Sequence, residues 1–369
     1  MNSLLEKYRR YLPLEGVAPV NGLGEGNTPL IKSGIGGSDN LFFKLEQLNP
    51  TGSFKDRFAA VETALMRHKG VQACIATSSG NTGSALAAYS ARRGMRCLIL
   101  VNETAQENKL RQILAYGARI FRVRGLGVSN EQSALIFDRL QELAEQSHTR
   151  LVISAFKYSP LGMEGIKTIA YELAEQLGAA PDQIFVPVGG GGLLSGIWRG
   201  FLDLKERLLI GRLPRMNAVQ PTLNDTVVTP LIEGLDQARD VDTTTSISGL
   251  AVQIDIDATL ALKSVRASGG RGYSVEEEEI QRVQRQLCLR DGMFVEPAGA
   301  TSVAGYLKAA SLRDVRADEK VICILTGHGL KDMSSVGRFA QRTQIRKIDL
   351  SDITSKLIES ETVSYPPPF

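Results

Sequence analysis

The sequence predicts an α/β protein with two domains, each a three-layer αβα arrangement of helices on both faces of a parallel sheet. With 369 residues, the chain is too long for one hydrophobic core. Its content of 43% apolar and 22% charged residues is typical of globular proteins. From about Leu41 onward, short apolar runs alternate with longer amphipathic ones. This alternation indicates strand–helix–strand units and a buried parallel sheet.

The order of elements follows from this alternation. Strands are predicted at LFFKLE, ACIAT, CLILV, ARIFRV and LVISA, with helices at Ser53–Lys69, Asn81–Arg93, Glu107–Tyr116 and Asn130–Gln146. After a pause at FKYSPLG come helix Glu164–Leu177, strand QIFVPV, a helix near Leu193, and the strands MNAVQ and KVICILT. We expect an N-terminal arm (1–48) that belongs to the large domain, a small α/β domain (49–157), the large α/β domain (158–332) and a C-terminal arm (333–369).

Composition argues against several classes of function. The net charge of +3 and the lack of a basic cluster interleaved with aromatics disfavour nucleic-acid binding. No apolar run approaches the roughly 20 residues that span a bilayer, and the N-terminus does not resemble a signal peptide. Four scattered cysteines and three histidines predict reduced thiols and no metal site. A cytoplasmic protein with no membrane partner is expected.

The first candidate site is the turn Asn49–Arg57, which reads NPTGSFKDR. Its Pro–Gly pair ends a strand, Ser53 is expected to cap the next helix, and Lys55 then falls in the first helical turn. The helix N-terminus disfavours a cation and lowers the pKa of the amine, which suits a lysine that forms a Schiff base. A solvated surface lysine is the alternative for any isolated lysine. Two further turns favour the chemical interpretation.

The second candidate is the polar turn Thr77–Gly83, TSSGNTG, between a predicted strand and helix. Hydroxyls and free amides in one turn can bind a carboxylate, and Asn81 can donate a hydrogen bond to a phenolic oxygen. An ordinary helix cap is the alternative, but a cap needs only one hydroxyl.

The third candidate is the glycine run Gly189, Gly190, Gly191 and Gly192, followed by Leu193. Glycines after a buried strand let backbone amides approach an anion, with a helix N-terminus behind them. The run suits any phosphate, and a flexible loop is the alternative. Neither a P-loop nor a GxGxxG dinucleotide motif is present.

A fourth element, TGHGLKD at 326–332, ends the last buried strand. Thr326 can offer a hydroxyl to a ring nitrogen, whereas His328 between two glycines is more often a turn residue than a catalytic one. A lysine for a carbonyl, glycines for a phosphate, an amide for a phenol and a hydroxyl for a ring nitrogen together match pyridoxal 5'-phosphate.

The chain resembles the fold type II (tryptophan synthase β-like) family of pyridoxal-phosphate enzymes, and within it the threonine synthases. The resemblance covers roughly residues 22–332. It rests on GEGNTPL (24–30), NPTGSFKDR, TSSGNTG, EGIKT (164–168), GGGGLLSGIWRGF (189–201), EPAGATSVAG (296–305) and TGHGLKD. NPTGSFKDR and GHGLKD are highly specific, while the glycine run is shared by many relatives.

The resemblance implies a role for each matching position. Lys55 is the Schiff-base lysine and the catalytic base, Asn81 lies beside the O3′ oxygen, and Thr326 faces the pyridine nitrogen. The cofactor phosphate is held by Gly189, Gly190, Gly191, Gly192 and Leu193. The substrate side is formed by Ser78, Ser79 and Thr82. A homodimer is also implied.

Some positions depart from threonine synthases. Before EGxKT those enzymes commonly read NPYRxEGQKT, with an arginine that grips the substrate phosphate, and Gly162 stands at that position here. Gly190 and Leu193 replace asparagines, and LAVQIDID (250–257) replaces a segment such as AIRIGNP. The loss of a bidentate guanidinium removes charge-assisted donors for a dianion. We therefore expect a small amino-acid substrate other than O-phosphohomoserine.

Three functions follow as hypotheses. The first is a threonine synthase-like lyase that catalyses elimination or replacement at the β or γ carbon of an amino acid. The second is a serine/threonine dehydratase that forms a 2-oxo acid and ammonia. The third is a catalytically idle binding protein, which loss of the lysine would indicate, and Lys55 is present.

Overall fold

The computed structural model describes residues 3–35, 39–126, 130–242, 245–340 and 347–353. The chain divides into two compact units. Met1–Asp332 contains both β-sheets, and the described part of Met333–Phe369 contains the α-helix Met333–Ala340. Residues 341–346 and 354–369 of the predicted C-terminal arm lie outside the described residues, and they include the whole SYPPPF end.

Helices and strands alternate through most of the first unit. The strands are β1 (Leu30–Lys32), β2 (Leu41–Lys44), β3 (Ala73–Ala76), β4 (Arg96–Asn102), β5 (Arg119–Val123), β6 (Thr149–Leu151), β7 (Gln183–Pro187), β8 (Arg215–Pro221), β9 (Gly272–Val275) and β10 (Val321–Ile324). The helices, with the one of the second unit, are α1 (Leu4–Lys7), α2 (Lys55–His68), α3 (Asn81–Arg92), α4 (Glu107–Ala115), α5 (Asn130–Gln146), α6 (Pro160–Met163), α7 (Thr168–Leu177), α8 (Gly192–Glu206), α9 (Val228–Ile232), α10 (Ala258–Ala267), α11 (Glu277–Asp291), α12 (Pro297–Ser311) and α13 (Met333–Ala340).

The strands form two sheets. The larger has the order β1-β2-β10-β7-β8-β9, and the smaller has the order β5-β4-β3-β6. Every neighbouring pair is parallel except β1 and β2, which are antiparallel. The predicted α/β class with parallel sheets is confirmed, with one antiparallel edge strand. The division at residues 48, 157 and 332 stays a prediction.

The apolar runs explain the most buried strands. Every residue of β3, β7 and β10 is buried, as expected for strands covered by helices on both faces. Two predicted elements differ from the structure. Strand β6 ends at Leu151, so most of LVISA lies beyond it, and helix α7 begins at Thr168 after a 3-10 turn over Glu164–Lys167.

A buried ion cluster ties α2 to both the larger sheet and α7. Arg57 is fully buried and binds Glu46 Oε1 at 2.7 Å and Glu172 Oε1 at 2.7 Å. Lys44 Nζ binds Glu172 Oε2 at 2.7 Å and the carbonyl of Thr28 at 2.7 Å. Burial alone would raise the pKa of Glu172, but the charges and hydrogen bonds of Arg57 and Lys44 lower it to about 2. Glu172 is therefore ionised at neutral pH.

The GEGNTPL segment completes this cluster. Gly26 and Asn27 have φ values of +78° and +49°, in the left-handed region. The Asn27 amide then reaches Glu172 Oε1 at 2.6 Å, and the Thr28 hydroxyl donates to Glu46 Oε1 at 2.7 Å. This segment of the sequence is thus used to satisfy buried carboxylates close to the start of α2.

Cys74, Cys97 and Cys323 are buried free thiols, and Cys288 is half-buried. Among the described helices, none combines the length and the apolar character needed to cross a membrane.

Replacing Arg57 with methionine tests the importance of the ion cluster. Arg57→Met leaves two buried carboxylates without their guanidinium, so the free energy of unfolding is expected to fall by about 3–5 kcal/mol. Urea denaturation at pH 7 measures this change. The control is Arg139→Met, which removes an exposed ion pair with Glu142 and is expected to cost less than about 1 kcal/mol. Equal, small losses in both variants would show that the cluster does not stabilise the fold.

Candidate active site

All the predicted site residues except Thr82 line one cavity of about 430 Å³. Segments that follow β3, β6, β7 and β10 line it, so the carboxyl ends of strands from both sheets converge there. Ligands bind at this edge of open α/β sheets, and the volume suits a small molecule. The predicted residues that line the cavity are Lys55, Ser78, Ser79, Asn81, Gly189, Gly190, Gly191, Gly192, Leu193 and Thr326.

Lys55 is the first residue of α2, and it lines the cavity together with the glycine run. Its Nζ donates to Ser154 Oγ at 2.8 Å. Burial lowers the pKa of Lys55 to about 8, although the carboxylates of Asp257 and Glu296 act in the opposite direction. The expected lowering is therefore present, but its first cause is burial and not the helix dipole.

The predicted Ser53 cap is wrong. The residue before α2 is Phe54, and the buried Ser53 hydroxyl has no hydrogen-bond partner among the described residues. Asp56 shapes the turn instead, because its Oδ2 accepts from both the amide and the hydroxyl of Thr51 at 3.0 Å. A carboxylate inside the helix thus replaces the cap in closing the Pro–Gly turn, where Gly52 has a φ of +89°.

The polar turn after β3 presents Ser78, Ser79 and Asn81 to the cavity. Asn81 begins α3, and its Nδ2 donates to both carboxylate oxygens of Glu296 at 3.0 Å. Thr82 lies just behind this turn, 8% exposed, with Oγ1 at 2.9 Å from Ser154 Oγ. Thr82 therefore does not line the cavity itself but contacts Ser154, which does.

The glycine run connects β7 to α8. Gly191 has φ +97° and directly precedes α8, so amides of the first helical turn face outward from the helix end. A Cβ added at Gly191 would lie 2.6 Å from the carbonyl carbon of Asp257, whereas one at Gly190 would meet nothing closer than 3.9 Å. This combination of a tight backbone turn and open space above Gly190 fits a phosphate group.

Thr326 follows β10, is 3% exposed, and donates from Oγ1 to Glu296 Oε1 at 3.3 Å. Burial raises the pKa of Glu296, and the Asn81 hydrogen bond opposes this effect. His328 is a turn residue, since its Nδ1 accepts from the Leu330 amide at 3.2 Å. Asn81 and Thr326 thus share one buried carboxylate.

Sequence reasoning missed Ser154, Asp257 and Glu296 as members of the site. Asp257 accepts from the amides of Phe156 at 2.7 Å and Lys157 at 3.1 Å, which fixes the loop beyond β6. A Cβ at Gly192 would lie 2.9 Å from Asp257 Oδ2, so this carboxylate borders the glycine run. Glu296 opens the EPAG string and Ser154 lies within LVISA, but neither motif showed which residue would face the cavity.

Gly162 lies in α6 and packs on α2. A Cβ at Gly162 would lie 2.8 Å from Glu62 Cβ and 2.9 Å from Phe58 Cε2. A side chain at this position would therefore point into the packing between α6 and α2. The structure thus offers no room for an arginine to leave Gly162 without displacing these two side chains.

Known proteins resemble this chain over most of its length. The family model described as pyridoxal-phosphate dependent enzyme matches residues 22–327. The threonine synthase of Methanocaldococcus jannaschii is 36% identical over 346 residues, 91% of this chain and 82% of that protein. The threonine synthase of Halalkalibacterium halodurans is 34% identical over 338 residues, 89% of each. The solved structure of T.th. threonine deaminase has a TM-score of 0.69 at 25% identity, covering 88% of this chain and 96% of that chain.

The family model covers every predicted residue that lines the cavity, from Lys55 to Thr326. The open glycine run and the amine of Lys55 fit the phosphate and the carbonyl of pyridoxal phosphate. The chain belongs to the family of pyridoxal-phosphate dependent enzymes.

Proposed function

We propose that the protein is a threonine synthase-like lyase that performs β- or γ-elimination or replacement on a small amino acid other than O-phosphohomoserine. The observation that carries this proposal is the convergence of the Lys55 amine, the glycine run and the Ser78–Asn81 turn on one cavity. The similarity to threonine synthases over about nine-tenths of the chain supports the reaction class.

Bound pyridoxal phosphate supplies an aldehyde that condenses with amines and a ring that withdraws electrons from a neighbouring carbon. In the proposal, Lys55 holds the cofactor through Nζ. The same amine, when free, accepts the α-proton of the substrate and returns a proton later. A pKa of about 8 allows this amine to exchange protons near neutral pH.

The other proposed roles follow from the positions of donors around the cavity. Amides from Gly189 to Leu193 bind the cofactor phosphate. Asn81 lies beside the phenolic oxygen, and Thr326 faces the ring nitrogen. An amide nitrogen has two hydrogens, and a hydroxyl both donates and accepts. Asn81 can therefore bind the cofactor while it keeps a bond to Glu296, whereas Thr326 has a single hydroxyl hydrogen that turns from Glu296 to the ring nitrogen.

The substrate side is assigned to Ser78 and Ser79, with Thr82 acting through Ser154. Short hydroxyls and free amides of this turn suit the substrate carboxylate.

The glycine at position 162, where threonine synthases commonly have an arginine, supports a leaving group other than phosphate. The cofactor phosphate already brings a dianion to the glycine run, and the carboxylates of Asp257 and Glu296 line the same cavity. At the position of the expected arginine, Gly162 packs against Phe58 and Glu62 and supplies no guanidinium. A second phosphate would therefore meet the ammonium groups of Lys109 and Lys331 beside these carboxylates, but no bidentate donor at position 162.

A serine/threonine dehydratase is the second candidate. The structural similarity to T.th. threonine deaminase favours it, because the match covers 88% of this chain. The homodimer and the cytoplasmic location stay predictions, the former from the resemblance and the latter from the sequence.

Replacing Gly191 with alanine tests the phosphate cradle. A left-handed backbone costs an L-residue about 1–2 kcal/mol, and the added Cβ also meets the backbone of Asp257. Gly191→Ala is expected to weaken cofactor affinity at least about tenfold, as measured by titrating the cofactor-free protein with pyridoxal phosphate. Gly211→Ala is the control, because a Cβ there has no neighbour within 4 Å. An unchanged dissociation constant in Gly191→Ala would contradict the assigned cradle.

A panel of amino acids distinguishes the two candidate reactions. The purified holoenzyme is incubated with O-phosphohomoserine, threonine, serine, O-acetylserine and O-phosphoserine, and 2-oxo acids, new amino acids and phosphate are measured. For O-phosphohomoserine we expect a kcat/KM at least about 100-fold below that of the best substrate, which corresponds to roughly 2.7 kcal/mol of lost transition-state binding. Efficient conversion of O-phosphohomoserine to threonine would refute the substrate proposal. Formation of 2-oxo acid from serine or threonine alone would favour the dehydratase.

A further inference from the structure

Two hydroxyls form a chain that ends on the Lys55 amine. Lys55 Nζ donates to Ser154 Oγ at 2.8 Å, and Ser154 Oγ lies 2.9 Å from Thr82 Oγ1. Ser154 lines the cavity, whereas Thr82 is buried behind it in the first turn of α3. The Lys55 amine is therefore held from the side of the smaller sheet by a hydroxyl that itself has a second partner.

The backbone around Ser154 is fixed on both sides. Before it, the Val152 amide donates to the carbonyl of Ile75 in β3 at 2.8 Å. After it, the Phe156 and Lys157 amides bind the buried carboxylate of Asp257. A residue held in this way keeps its hydroxyl in place without help from Lys55, which is what a preorganised partner requires.

We propose that Ser154 is the positioning residue of Lys55, and that Thr82 orients the Ser154 hydroxyl. The proposal rests on the proposed role of Lys55 as the cofactor-binding amine. A serine hydroxyl accepts a hydrogen bond from an ammonium group and donates one to a neutral amine. Ser154 can therefore hold Nζ in both protonation states, with only the hydroxyl hydrogens of Ser154 and Thr82 turning.

Other charged groups face the amine as well. Asp257, which directly precedes α10, and Glu296, which directly precedes α12, both favour its charged form. The two carboxylates act on the Lys55 amine through their charge, whereas the hydrogen bond to Ser154 also fixes the direction of Nζ. Removing the hydroxyl should therefore change the behaviour of Lys55 while both carboxylates remain.

The test measures the pH midpoint of Lys55 acetylation in the cofactor-free protein, by competitive labelling with trace acetic anhydride and peptide mass spectrometry. Loss of an acceptor destabilises the ammonium form, so Ser154→Ala is expected to lower the midpoint by about 0.5 to 1 on the pH scale. Ser154→Thr retains the hydroxyl and is expected to restore it. In the holoenzyme, Ser154→Ala should lower kcat about tenfold on the best substrate and leave KM within about twofold.

The matched control is Ser248→Ala, which removes a cavity-lining hydroxyl that binds Lys109 at 3.2 Å. It is expected to leave the Lys55 midpoint unchanged. The proposal is overturned if Ser154→Ala leaves the midpoint unchanged, if Ser154→Thr fails to restore it, or if Ser248→Ala shifts it equally. Because the labelling uses no cofactor, failure here is distinct from failure of the proposed function, which would appear as no attachment of pyridoxal phosphate to Lys55.

Discussion

The buried ion cluster of Arg57 with Glu46 and Glu172 is the interaction on which the site depends. Arg57 lies two residues after Lys55 on α2, and its guanidinium binds a carboxylate next to the larger sheet and another on α7. A buried guanidinium must keep its partners, because an unpaired buried charge costs several kcal/mol. The register and rotation of the first turn of α2 are therefore fixed, and with them the direction in which Lys55 leaves the helix.

The cavity combines groups from both sheets around that lysine. The smaller sheet supplies the Ser78–Asn81 turn and Ser154, and the larger sheet supplies the glycine run and Thr326. Glu296 joins the two sides, since it accepts from Asn81 and from Thr326. The topology itself assembles such a site, because parallel strands bring their carboxyl ends, and the turns that follow them, to one edge of the sheet.

Much of this arrangement could be predicted because the residues of each turn identify it without information from distant segments. A run of four glycines after an apolar strand, or a Pro–Gly turn before a helix, indicates a strand–helix junction from neighbouring residues alone. Ser53, Asp257 and Gly162 show where this reasoning ends. Near Ser53 the alternative is local, because Asp56 closes the turn by accepting from Thr51. The other two have partners far away in the sequence: Asp257 binds the loop at Phe156, and Gly162 packs on Phe58.

The central claim is that Lys55 is the residue to which pyridoxal phosphate is attached. The most direct measurement is borohydride reduction of the purified holoenzyme, followed by peptide mass spectrometry. The account predicts a phosphopyridoxyl group on Lys55, with no label in Lys55→Ala and an unchanged label in Lys331→Met, which removes another lysine that lines the cavity. A stable label on Lys331 or Lys109 in the wild-type protein, with Lys55 unmodified, would contradict it.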